Sequence, residues 1–372
     1  MSKTVLAIGV CALMFAGACS TNPDDAESAT NPEPTLSPLG APWTSVTENQ
    51  VSGVVRPEDL VAVPDTGWVL ASSMASPKRG TPGRLVAVDS TTNATVPLWP
   101  SPDQHAEWNR SIYPDCAGVP DASSAEPHGI AIAPATDGQP VTLYAVNHKR
   151  ESIEVFHLDP QADPVALTWV GCVPIPGDVY ANAVAPLPDG SGIIVSSMFD
   201  PTVSGDPFAR MFSGVATGRV MKWTPAQGWT ALPDSAVGGA NGVLVSPDGQ
   251  SVVVAAWTQK KLVRMSLTNP SDRSEVTLPF LPDNLRWTPQ GTILVTGQNV
   301  TVDDVLVCNG GEGINCPTGY AVVEVNPSSM TSTVLIDGTD SSVSLATTAL
   351  PVGDEIWLGT LSGDRIVRLD RG

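Results

Sequence analysis

Six short apolar runs in this chain end on a proline: Pro64, Pro134, Pro188, Pro247, Pro289 and Pro351. Each proline reads as the start of a turn, as in Pro188-Asp189-Gly190 and Pro247-Asp248-Gly249. Counting six residues back from each gives Glu58, His128, Asn182, Asn241, Asp283 and Leu345. Five of the six are types that bind metals, although Asp, Glu, His and Asn make up only 56 of the 372 residues. With Asn284 beside Asp283, the set Glu58, Asn182, Asn241, Asp283 and Asn284 is hard and all-oxygen, with a ligand charge of about −2. Such a set suits Ca²⁺ far better than zinc or copper.

Local context supports a site over surface polarity. Glu58 and Asp59 lie in Arg56-Pro57-Glu58-Asp59-Leu60, and that unit already has its turn at Pro64-Asp65-Thr66-Gly67. Asp283-Asn284 sits between apolar residues, with its own turn at Pro289-Gln290-Gly291. Burying such a pair without a partner is costly, and a cation removes that cost. Asn182 and Asn241 are ordinary turn or cap residues when taken alone, and gain weight from the shared register. His128, in Pro127-His128-Gly129-Ile130, holds the same position in its unit. His148 ends the following apolar run, so a hairpin brings the two imidazoles together. A histidine beside a metal that polarises a carbonyl is a natural general base for water. His105 and His157 fall outside the register and read as surface. The chain has no G-x-S-x-G elbow, no P-loop and no H-E-x-x-H.

The elements that position these residues form a repeat. Each unit has three or more β-rich runs bounded by turns, as in Gly242–Val245, Ser251–Ala256 and Lys261–Met265. The third run recurs at 83–89, 218–223 and 364–370. Units spaced by roughly 40 to 70 residues suit four-stranded propeller blades with unequal loops. The predicted fold is all-β, a six-bladed propeller over residues 45–372 with a metal site in its central channel. The first strand of each blade lines that channel, so equivalent residues converge by symmetry. A β-sandwich, the rival, would not gather six equivalent positions.

Acidic residues outnumber basic ones 38 to 19, which argues against a phosphate-tracking nucleic-acid binder. Residues 1–18 read as an export signal: Lys3, the apolar run Val5 to Phe15, then a lipobox-like Ala16-Gly17-Ala18-Cys19. Cys19 is then lipidated and 19–44 form a flexible tether, giving a cell-envelope lipoprotein attached to the membrane only through that anchor. The same letters also fit an A-x-A cleavage site and a secreted product. Four further cysteines remain in an oxidising compartment. Cys308 and Cys316 flank a Gly-rich loop and are expected to pair locally, leaving Cys116 with Cys172. A monomer is expected.

Together, Glu58-Asp59-Leu60, Pro127-His128-Gly129-Ile130, Val146-Asn147-His148, Ala240-Asn241-Gly242, Ser246-Pro247-Asp248-Gly249 and Asp283-Asn284 resemble the paraoxonase/arylesterase group of calcium-dependent lactonases. That group lies within the gluconolactonase-like six-bladed propellers. The resemblance implies a catalytic Ca²⁺ held by Glu58, Asn182, Asn241, Asp283 and Asn284, with His128 and His148 near a small ester or lactone substrate. It implies a second, structural calcium for which Asp59 and the carbonyl of Ile130 match two ligands. The acid expected after the first asparagine is Ala183 here, a departure at that second site. Met198-Phe199-Asp200-Pro201 also departs from the pattern. Alternatives are a surface-anchored binding propeller with a structural ion, or a sugar-lactonase or strictosidine-synthase-like member.

Overall fold

Val- and Ile-rich runs fold as short antiparallel strands that stop at their turn residues. In the turns after two of them, Gly190 and Gly249 adopt φ of 71° and 69°, which a side chain would oppose. A computed structural model describes residues 40–76, 80–133, 140–269, 271–301, 304, 305, 307, 308, 316, 318–338 and 343–372. The leader, Cys19 and most of the expected tether lie outside the described residues, as does Pro134. All described residues belong to one unit, Leu36–Gly372.

The first strand, β1 (Val46–Ser52), stands apart from the strands that follow it. Blade one comprises β2 (Pro57–Ala62), β3 (Trp68–Ser73), β4 (Arg84–Asp89) and β5 (Thr95–Trp99). Blade two comprises β6 (His105–Ala106), β7 (Pro127–Ala133), β8 (Thr142–Asn147), β9 (Ser152–Asp159) and β10 (Ala166–Pro174). Blade three comprises β11 (Ala181–Pro186), β12 (Ile193–Ser197), β13 (Arg219–Thr224) and β14 (Gly228–Ala231). Blade four comprises β15 (Ala240–Val245), β16 (Ser251–Ala256), β17 (Lys261–Ser266) and β18 (Arg273–Thr277). Blade five comprises β19 (Leu281–Trp287), β20 (Ile293–Gln298), β21 (Tyr320–Asn326) and β22 (Thr331–Gly338). Blade six comprises β23 (Ala346–Val352), β24 (Glu355–Thr360) and β25 (Arg365–Arg371), with β1 as its outer strand. A short helix, α1 (Pro207–Phe212), interrupts blade three between β12 and β13.

The inner strands touch in the cycle β2, β7, β11, β15, β19, β23 and back to β2, closing a six-bladed propeller. The circle is sealed by β1, which pairs with β25 from Val46↔Arg371 to Ser52↔Arg365. Without β1, the edge of β25 would be open to pairing with other chains. Just before β1, the Trp43 N–H donates to Leu335 O at 2.8 Å, so the end of the expected tether docks on blade five. Apolar clusters fill the spaces between blades. Trp99, Trp169 and Trp357 are the largest fully buried side chains, each worth about 1.5–3 kcal/mol or more of burial.

The two expected disulfides are present, Cys116–Cys172 and Cys308–Cys316, and are consistent with an exported protein. Among the described residues no helix is long and apolar enough to cross a membrane. His105 is exposed, and its two-residue strand β6 adds a fifth, parallel strand to blade two.

Candidate metal centre in the channel

All six inner strands break register at one level, between Pro57 and Asp59, Pro127 and Ile130, Ala181 and Val184, Ala240 and Val243, Pro282 and Leu285, and Ala346 and Thr348. A bulge of this kind re-aims a side chain out of the strand's alternation. The first residue in each break is Glu58, His128, Asn182, Asn241, Asp283 or Thr347. The sequence register therefore holds for five blades and fails in the sixth, where it points to Leu345. Pro351 is the cause: it lies inside β23 opposite Ile356, and Gly353-Asp354 makes the turn. Counting six back from that proline therefore overshoots the ring by two residues. Leu345 is instead buried in an apolar cluster with Phe199, Met211 and Trp257.

Glycine lets adjacent bulges approach. A Cβ on Gly129 would sit 2.4 Å from Asn182 O, and one on Gly242 would sit 2.4 Å from Asp283 O. The Thr347 hydroxyl donates to Glu58 O at 2.5 Å, locking blade six to blade one.

Within the ring, Asn284 Nδ2 donates to Glu58 Oε1 at 2.8 Å, and His128 Nε2 lies 3.7 Å from the same oxygen. Asn182 Nδ2 and His128 Nε2 are 3.2 Å apart. Asp283 Oδ2 accepts from Gln298 Nε2 at 2.7 Å, and Gln298 Oε1 in turn accepts from Trp257 Nε1 at 3.0 Å. Three buried oxygens from three blades have no hydrogen-bond partner among the described residues: Glu58 Oε2, Asn182 Oδ1 and Asn241 Oδ1. A buried acceptor without a donor costs about 1–3 kcal/mol, more when it is charged. Three together are the donor chemistry that a hard cation satisfies.

The electrostatics point the same way. Burial pushes Glu58 well above the usual carboxylate range, and the charges of Asp59 and Asp283 add to this. Burial pushes Asp283 up to about 7, against hydrogen bonds from Gln298 and Asn241. Among the described residues no cluster of three or more His, Cys, Asp or Glu could hold a metal, and three of the five residues expected as ligands here are amides.

Pairing of β7 with β8, in register Pro127↔Asn147, brings His148 beside His128, ring centroids 4.9 Å apart and steeply inclined. A buried network positions His148. Its backbone N–H donates to Glu126 O, and the preceding Asn147 is tied through Nδ2 to Ser124 O and to Glu154. Burial holds His128 well below 6.5, with His148 and Arg56 contributing, and holds His148 at about 4. Both imidazoles are therefore neutral at neutral pH. His148 stacks on Tyr180 at 4.7 Å, and Tyr180 on Phe199 at 4.5 Å. An aromatic wall thus runs from the histidines toward α1. It incorporates the Met198-Phe199 segment that departs from the family pattern.

Asp59 faces away from this ring. Its carboxylate accepts from Leu60 N, Ile130 N, Thr348 Oγ1 and the Arg286 guanidinium. Ala183 presents only a methyl group, and its N–H donates to Ser196 Oγ at 3.0 Å. The sequence reading missed Thr347, Gln298, Tyr180 and Arg286. Gln298 closing a buried apolar run, and Arg286 between Leu285 and Trp287, were the available signals.

No family model matches the chain, and no curated protein matches it. Solved structures share its shape. A provisionally assigned gluconolactonase is 15% identical with TM-score 0.52, covering 90% of this chain and 93% of its own. A luciferin-regenerating enzyme is 10% identical with TM-score 0.52, covering 88% and 95%. A catalytically inactive variant of virginiamycin B lyase from Staphylococcus aureus, with quinupristin, is 11% identical with TM-score 0.50, covering 88% and 99%. At these identities the likeness is one of fold, the six-bladed propeller.

Proposed function

We propose that the chain is a calcium-dependent hydrolase of lactones or aryl esters. The observation that carries this is the buried ring with three unsatisfied oxygens facing two neutral imidazoles. Glu58, Asn182, Asn241, Asp283 and Asn284 would hold the ion, their two charges matching its own. Calcium bound there would polarise the substrate carbonyl and stabilise the oxyanion. Gln298 fixes the Asp283 carboxylate and Asn284 fixes that of Glu58. Neutral His128 carries a ring lone pair that can take a proton from water. Tyr180 stacks on His148 and Phe199 backs Tyr180, so this stack would shield that side of the pair from bulk water and border the acyl or aryl part of a substrate. The gluconolactonase-described neighbour supports a lactone as substrate.

One observation favours a second reading, a binding propeller with a structural ion. Neither ring nitrogen of His148 has a hydrogen-bond partner among the described residues, so the histidines meet through ring edges as packing would have it. The deciding experiment is hydrolysis of a lactone panel and phenyl acetate, with calcium and then with chelator. Turnover lost with chelator and restored by calcium supports the hydrolase. No turnover, with a melting temperature that rises on adding calcium, supports the binding protein. Lipidation at Cys19 belongs to this proposal too. Mass spectrometry of the N-terminal peptide separates a lipid-modified Cys19 from a freely secreted chain.

A further inference from the structure

Arg286 sits on β19, two residues beyond Asn284, and its guanidinium lies in a cage of oxygens. Nε donates to Leu60 O at 2.7 Å and Nη1 to Leu285 O at 2.7 Å. Nη2 donates to the Asp59 carboxylate and reaches Ile130 O at 3.4 Å. One carboxylate and three carbonyls, drawn from blades one, two and five, are the donor set that a hard divalent cation takes. Asp59 and Ile130 are also the residues that the family resemblance assigns to a second calcium.

The two levels of the channel differ in one decisive respect. At the ring, Glu58 Oε2, Asn182 Oδ1 and Asn241 Oδ1 lack partners. At the Asp59 level the carboxylate is fully engaged, with Ile130 N at 2.8 Å, Thr348 Oγ1 at 2.7 Å and Leu60 N at 2.9 Å besides the arginine. A second calcium would have to displace the guanidinium, and Ala183 offers it no carboxylate. The residues present do not fit that ion.

We infer that Arg286 is a built-in cation that takes the place of the second calcium. A guanidinium never loses its charge at physiological pH and cannot be chelated. The joint between blades one, two and five is therefore held together whether or not calcium is present. The proton and metal chemistry of the channel is confined to the ring. The cage stands independently of the hydrolase reading.

The test is run on the full chain. Calcium is counted by elemental analysis after equilibrium dialysis, and melting is followed in chelator for the wild type, Arg286→Lys, Arg286→Met and Arg286→Met/Asp59→Asn. The wild type is expected to hold no more than one calcium, lost in Asp283→Ala. In chelator, Arg286→Met should melt about 5–15 °C lower, because it strands a buried carboxylate. Adding Asp59→Asn should recover part of that loss. Arg286→Lys should fall between wild type and Arg286→Met, keeping the charge without the three-way fork. Two calcium ions per wild-type chain would overturn the inference, as would an Arg286→Met protein that melts like wild type in chelator. If Arg286→Met does not fold, the wild-type count and the double variant decide. A wild type that holds no calcium sinks the hydrolase reading while leaving the arginine inference to the melting series.

Discussion

Calcium affinity at the ring should depend steeply on pH, and the slope can be worked from the buried carboxylates. Asp283 is pushed up to about 7 from an ordinary 3.8, chiefly by burial. Without metal, the folded chain keeps a proton here that the unfolded chain has already released. That contribution to stability is complete below pH 3.8 and is lost as pH rises through about 7, amounting to about 4 kcal/mol in all. Bound calcium reverses the sign, because it requires the carboxylate. Well below pH 7 each unit should therefore change the apparent affinity about tenfold, or about 50-fold between pH 5 and 7 for one proton. Glu58 is also raised, so a second proton would steepen this further. His148, held at about 4 by burial, does not blur the slope. Calorimetric titration at several pH values, in buffers of different ionisation enthalpy, gives both the affinity and the protons released. Asp283→Asn should weaken binding and remove one proton from the count. An affinity that is flat from pH 5 to 7, with no proton released, would refute the assignment of Asp283 as a ligand.

Four further outcomes follow from the same geometry. His128→Gln should lower kcat by about 10²–10⁴ while calcium stays bound, whereas equal loss of both would make the histidine structural. His148 is neutral in the fold and protonates at its ordinary 6.5 when unfolded, so stability should fall as pH drops from 6.5 toward 4 by up to about 3 kcal/mol. Metal-free Asp283 gains stability over the same range, so the readout is the difference: in urea titrations at pH 7 and 4.5 the wild type should lose more stability, or gain less, than His148→Phe. Gly242→Ala places a Cβ 2.4 Å from Asp283 O and should cost about 1–3 kcal/mol in urea unfolding while also weakening calcium binding. Deleting the chain through Ser52 removes β1 and bares β25, so the truncated protein should aggregate on a sizing column.

Why five ring residues were legible and the sixth was not is a question of what sets the ring. In four blades whose strand and proline turn are both described, the proline begins the hairpin, so its distance to the bulge stays constant. In blade six the hairpin moved two residues past Pro351, and the constant distance then pointed at Leu345. The bulge, not the turn, decides which side chain faces the axis, and a bulge leaves little trace in hydrophobic pattern. Strand β1 was unreadable for a related reason. Val46–Ser52 buries only Val51 fully, so an outer strand of this kind has no alternation to betray it. Arg286 was hidden more deeply. Its partners Asp59 and Ile130 are 227 and 156 residues away in sequence, and its one local mark, a place between Leu285 and Trp287, does not tell an arginine that ends in solvent from one that ends in a cage of carbonyls. Yet Ala183 was visible from the start as a missing carboxylate. On the inference drawn above, an alanine where the resemblance expects an acid and an arginine inside an inner strand of another blade are two halves of one exchange. Reading them together predicts a side-chain cation wherever such a propeller has no acid at the first position and an arginine two residues beyond the ring.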